Sequence, residues 1–136
     1  PFTREEPFFS KFNELLKYTD LVLLDIKHID DEEHKKLTGH TNKNILDCAT
    51  YLSEQGIPMW IRHVLVPGIT DNDEYLKRTR AFIDTLKTVQ KVEVLPYHTL
   101  GAYKWKELRI PYSLEGVDPP TPDRVENAKH ILGCAK

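Results

Sequence analysis

Apolar residues recur along the chain at two spacings, and each spacing predicts an element. Between residues 5 and 18, Phe9, Phe12, Leu15 and Leu16 fall at helical intervals, so an amphipathic helix leads the chain into a first strand. It reads as the tail of an earlier βα unit. Leu21-Val22-Leu23-Leu24 is then an unbroken aliphatic run, the pattern of a strand buried on both faces of a parallel sheet covered by helices. The run ends in Asp25-Ile26-Lys27, and the two-residue period of a strand points the two charges the same way. After His28-Ile29, the acidic residues Asp30 to Glu33 suit a helix start, and Leu37-Thr38-Gly39 supplies its stop. A longer helix runs from near Asn42 to Gln55, with Ile45, Cys48, Ala49 and Leu52 on one face and Gly56 as its terminator.

Met59 to Val66 alternates into a second strand closed by Pro67-Gly68. Arg62 shares a face with Trp60, Val64 and Val66, while His63 lies on the opposite one. Asp71-Asn72-Asp73-Glu74 reads as the solvated N-cap and acidic first turn of a helix reaching Lys87, rather than as a metal site. Leu76, Thr79, Phe82, Ile83 and Leu86 would face the sheet. A third strand, Val92 to Leu95, ends in Pro96-Tyr97-His98. Residues 99–121 form a long loop bearing Tyr103, Trp105, Tyr112 and Pro119-Pro120, too aromatic for an idle linker. Thr121-Pro122-Asp123 opens a last helix with Val125, Ala128, Ile131 and Leu132 inward, before Gly133.

The intervals from Asp25 to Arg62 and from Arg62 to His98 are nearly equal. That is a βα repeat, and right-handed crossovers make the three strands parallel with their carboxyl ends on one side. The fold class is α/β. Three βα units cannot close a barrel, so residues 1–136 read as one part of a larger TIM-like barrel. The unpaired first strand should favour self-association.

Composition narrows the function. The 136 residues suit one domain, and 40% hydrophobic with 29% charged residues is a globular balance. A net charge of -2 without a basic stripe weighs against nucleic acid and anionic membrane as partners. No apolar run approaches a membrane span of about 20 residues and no signal pattern opens the chain, so a cytoplasmic location is expected. Cys48 and Cys134 belong to no metal-spacing motif, and a disulfide between them is not expected in a reducing compartment. His28, His34, His40, His63 and His130 share no metal-ligand spacing and are expected on the surface or in loops. The opening Pro1-Phe2-Thr3 lacks a methionine, which suggests processing or truncation.

Charges at the carboxyl end of a parallel strand sit where α/β folds bind ligands. Asp25 and Lys27 are either such a site or a structural ion pair at a barrel mouth. Lys27 as a Schiff-base lysine, as in aldolase-type barrels, would need desolvation to lower its pKa, and the neighbouring Asp25 opposes that. A fixed cation and anion suit instead a ligand carrying both charges, such as an amino-acid moiety beside a ribose: Lys holds the carboxylate and Asp accepts hydroxyl hydrogen bonds. Arg62 adds a carboxylate or hydroxyl partner, or makes an interior salt bridge to an acid. His98 can meet an adenine edge or cap the strand.

Several blocks then resemble, in order, one known family: Asp20 to His28, Trp60 to Gly68, Leu95 to Gly101, Lys104-Trp105 and Gly116 to Pro120. Across residues 19–133 the chain resembles the C-terminal half of the pyruvate formate-lyase activating enzymes, radical S-adenosylmethionine activases of glycyl-radical enzymes. The resemblance implies half of an incomplete (β/α)6 barrel. It implies that Asp25, Ile26 and Lys27 contact S-adenosylmethionine, with His98 by its adenine and Arg62 near its polar end. It also implies a 4Fe-4S cluster that cleaves the cofactor reductively, so that a hydrogen atom is taken from a backbone glycine. The partner would be a glycyl-radical enzyme, pyruvate formate-lyase or another, with reduced flavodoxin or ferredoxin as electron donor. The Cys-x3-Cys-x2-Cys cluster motif and the glycine-rich stretch for the cofactor's amino group are absent from these residues. Two cysteines cannot replace three converging thiolates, so the chain alone is expected to be inactive.

Overall fold

The computed structural model describes residues 2–98 and 116–134. Its elements are α1 (Phe8–Leu16), β1 (Val22–Asp25), α2 (Asp31–Thr38), α3 (Lys43–Glu54), β2 (Met59–Leu65), α4 (Asp73–Asp84), β3 (Val89–Pro96) and α5 (Pro122–Leu132). The aromatic positions Tyr103, Trp105 and Tyr112 of the expected long loop lie outside the described residues.

Local chemistry accounts for the helix ends. The Asp30 carboxylate accepts from the Glu33 N–H at 3.1 Å to start α2, which stops at Gly39 with φ 80°. Glycine takes that left-handed conformation without the backbone strain that most L side chains carry there. Asn72 caps α4 by accepting from the Glu74 N–H at 2.8 Å, and Thr121 caps α5 ahead of Pro122. Asn42 precedes α3 but does not cap it with its side chain.

β1, β2 and β3 form one parallel sheet in that order. Register sets Leu23, Trp60 and Lys91 in one row, and Asp25, Arg62 and Glu93 in the next. These rows lie on a face that stays exposed or half-buried. The opposite face carries Leu24, Ile61, His63, Leu65 and Val94, all buried under the helices with Leu52, Leu76 and Leu132. β1 is therefore not buried on both faces as its sequence suggests: Leu23 keeps 49% of its surface because the helices cover one side only. A smaller cluster of Val66 and Tyr97 closes the carboxyl end of the sheet.

Two further departures have local causes. On α1, Phe9, Phe12 and Leu16 form one stripe, and Leu15 falls about 100° from Leu16 and remains 62% exposed. Phe2 joins the stripe instead and meets the rings of Phe8, Phe9 and Phe12 edge-on. β3 begins at Val89 rather than Val92, because pairing with β2 recruits polar residues and sets the Lys91 ammonium 4.8 Å from the Trp60 ring centroid.

Ile61 is fully buried at the centre of β2. Ile61→Ala should lower unfolding free energy by about 2 to 5 kcal/mol in chemical denaturation, the range for an unfilled core cavity. A loss under about 0.5 kcal/mol, typical of surface positions, would show that the covered face is not the core.

Candidate functional site

Asp25 ends β1 directly opposite Arg62 on β2. Arg62 Nε donates to Asp25 Oδ1 at 2.7 Å and Nη2 to Oδ2 at 3.3 Å, a two-point grip that fixes the carboxylate plane. The hydrogen bond and charge of Asp25 hold the Arg62 pKa above its usual value, and the charge of Glu93 adds to this. The pair is 37% and 44% exposed, so solvent screens it and its share of stability is small. Arg62 has the acid partner that a structural role requires, yet that acid is itself a candidate site residue. Each Asp25 oxygen keeps lone-pair capacity for hydroxyl donors.

Ile26 follows with its side chain buried and both backbone groups held. Its N–H donates to the Arg62 carbonyl at 2.9 Å, and its carbonyl accepts from His63 Nδ1 at 2.7 Å. Lys27 is half-buried beside it on the chain. The Tyr97 N–H donates to the Leu65 carbonyl at 3.1 Å, which carries the sheet to its carboxyl end and places the exposed His98 just beyond. Because the strands are parallel, Lys27 and His98 leave the sheet at the same end. β2 lies between the two strands that carry them. The structure thus joins Asp25, Ile26 and Arg62 directly and sets Lys27 and His98 at the rim.

The histidines correct the surface expectation. His28, His34 and His63 are buried, at 1%, 7% and 3% exposure. His28 Nδ1 accepts from the Asp30 N–H at 3.1 Å, which leaves Nε2 to donate to the Ile69 carbonyl at 2.9 Å. Asn42, also buried, donates from Nδ2 to the carbonyls of His28 and Ile29 at 3.2 and 2.8 Å. Strand parity was the available signal for His63: a residue opposite Arg62 must lie on the covered face. Burial lowers the pKa of both His28 and His63, against hydrogen bonds that favour the charged form.

No group of three His, Cys, Asp or Glu among the described residues could hold a metal ion. Burial pushes the Cys48 thiol up to about 11 and also raises that of Cys134, opposite to what a thiolate ligand needs. These residues do not fit a 4Fe-4S cluster. Nor is any helix among the described residues long and apolar enough to cross a membrane.

An open, charged carboxyl end of a parallel sheet packed with helices places the chain in the α/β class, and comparison with known proteins makes the class specific. The Radical SAM superfamily matches residues 5–80, more than half of the sequence, and the chain belongs to that superfamily. It is 58% identical over 131 residues to the pyruvate formate-lyase-activating enzyme of Streptococcus mutans, covering 96% of this chain and 50% of that protein. With the enzyme of the same name from Staphylococcus epidermidis the identity is 54% over 125 residues, covering 91% and 50%. The chain therefore spans about half the length of these relatives. A solved domain of pyruvate-formate lyase-activating enzyme from Bacteroides vulgatus superposes with a TM-score of 0.74 at 21% identity, covering 91% of this chain and 68% of that one. A radical SAM methyltransferase from Sphaerobacter thermophilus gives 0.59 at 17%, covering 82% and 30%. At those identities the two structures share the fold alone.

The histidines generate a pH prediction. A folded-state pKa below the unfolded value of about 6.5 means that the unfolded chain binds more protons as pH falls through that value. The stability is present above the unfolded pKa and is lost below it. The denaturation midpoint should therefore fall from pH 7.5 to 5.5, less steeply in His63→Asn. A midpoint that is flat or rises on acidification would contradict neutral buried imidazoles.

Proposed function

We propose that the full-length protein carrying this chain is a pyruvate formate-lyase activating enzyme, with this chain as the C-terminal portion of one radical-SAM partial barrel. The observation that carries the reading is the 58% identity to a relative of that name along 96% of the chain. The geometry supports it. Asp25, held at two points by Arg62, turns remaining acceptor capacity toward ribose hydroxyls of S-adenosylmethionine. Lys27 supplies an ammonium for the methionyl carboxylate, and the pinned backbone at Ile26 offers a fixed edge beside both. His98, exposed at the same end, meets the adenine. Arg62, near the polar end of the site, acts by orienting Asp25.

When bound in the whole protein, the cofactor and a 4Fe-4S cluster supply reductive cleavage and removal of a hydrogen atom from a partner's glycine. The cluster ligands belong to other residues than those of this chain. Pyruvate formate-lyase is the partner that the relatives' name points to, reduced flavodoxin or ferredoxin the electron donor, and the cytoplasm the setting. The Schiff-base reading of Lys27 loses its ground, because the family match and the adjacent carboxylate both favour a permanent ammonium.

In the full-length protein, Asp25→Ala and Lys27→Ala should each weaken cofactor affinity by about tenfold or more, the scale of a charged hydrogen bond lost. Glycyl-radical yield on pyruvate formate-lyase, read by electron paramagnetic resonance, should fall with it. Wild-type yield and affinity in both variants would show the pair to be structural. Radical formation on a different glycyl-radical enzyme alone would move the partner assignment. The isolated chain should take up no iron on anaerobic reconstitution and cleave no cofactor; cluster absorbance in it would overturn the division of the site.

A further inference from the structure

Behind the charged end of β1 lies a buried polar layer that the cofactor grip does not itself use. His63, on the covered face of β2, donates from Nδ1 to the Ile26 carbonyl at 2.7 Å. Further along the chain, Asn42 holds the carbonyls of His28 and Ile29, and the His28 ring is anchored to the Ile69 carbonyl with Tyr75 edge-on at 4.6 Å. Lys27 stands between these two anchored points. β1 itself ends at Asp25, so beyond it the path of the chain rests on these side chains and on the Ile26 N–H bond to Arg62. A buried carbonyl left without a donor is costly, so neither anchor is dispensable to the observed path. A shift of the Ile26 peptide would turn both neighbours, the Asp25 carboxylate on one side and the Lys27 stem on the other.

We propose that His63 is a positioning residue: its Nδ1–H fixes the Ile26 carbonyl and thereby sets where Asp25 and Lys27 present their charges to S-adenosylmethionine. Asn42 does the same from the far side of Lys27. The inference rests on the proposed cofactor site and adds to it a layer that touches no ligand. Pre-organisation of this kind moves affinity without contact, since a free strand end must be ordered when the ligand binds.

The test uses the full-length protein and three readouts: calorimetric affinity for S-adenosylmethionine, thermal midpoint, and hydrogen exchange across residues 25–30. His63→Asn places an amide N–H where Nδ1 stands, whereas His63→Gln keeps bulk and polarity but carries its amide one bond further out. The Gln variant should lose about tenfold in affinity, as for one buried hydrogen bond, and speed exchange at Ile26 to His28. The Asn variant should stay within about twofold of wild type in affinity, the spread of a retained hydrogen bond. Should Gln prevent folding, Asn42→Ser asks the same of the second anchor and should show the same loss. Equal affinity in all variants, with only the thermal midpoint lowered, would reduce the layer to a structural role and overturn the proposal. Lys27→Ala separates the two claims. If it alone weakens binding, the cofactor reading stands and the positioning role fails; if wild-type protein binds no cofactor, both fall.

Discussion

Two consecutive residues of the central strand, Arg62 and His63, hold three groups at the end of the edge strand. The Arg62 guanidinium takes the Asp25 carboxylate, its carbonyl takes the Ile26 N–H, and the His63 ring takes the Ile26 carbonyl. Strand alternation makes this possible, because one residue of the pair faces the open side and the next the covered side. A register slip of one residue would exchange those faces and bury the arginine. The charged site on one face and the polar layer on the other are thus set by a single pairing, Asp25 with Arg62.

What maintains that register is apolar burial rather than the ion pair. The exposed Asp25–Arg62 contact contributes little to folding. Leu24, Ile61 and Leu65 are fully or almost fully buried between the sheet and the helices, and each would be turned to solvent by a slip. The division leaves the charges on the open face available for binding while the covered face supplies stability. It also explains why the half-exposed Leu23 is tolerated on β1: its row lies on the face that the helices do not reach.

Much of this was legible in the sequence. The aliphatic run before Asp25, the alternation around Arg62 and the helical stripes on α3, α4 and α5 located the elements and their parallel order. Strand boundaries were less legible. Lys91 carries no apolar signal, and β3 includes it because Trp60 of β2 offers it a partner, across a register shift that skips Gln90. The Asp25–Arg62 contact depended on cross-strand register, which near-equal intervals suggest but do not determine. His63 and His28 escaped because histidine is polar on average, and a surface default outweighed the parity that put His63 opposite Arg62. Phe2 lay outside any periodic segment, so its place among the α1 rings required the fold.

The central claim is that Arg62 acts on the ligand through Asp25. A double-mutant cycle on the full-length protein, Asp25→Ala, Arg62→Ala and the pair, read as affinity for S-adenosylmethionine, tests it most directly. The account predicts strong non-additivity: once either residue is gone, removal of the other should change affinity by no more than about twofold, well within the coupling of contacting residues. Two independent losses that multiply in the double variant would contradict it, and would mean that each side chain meets the ligand on its own.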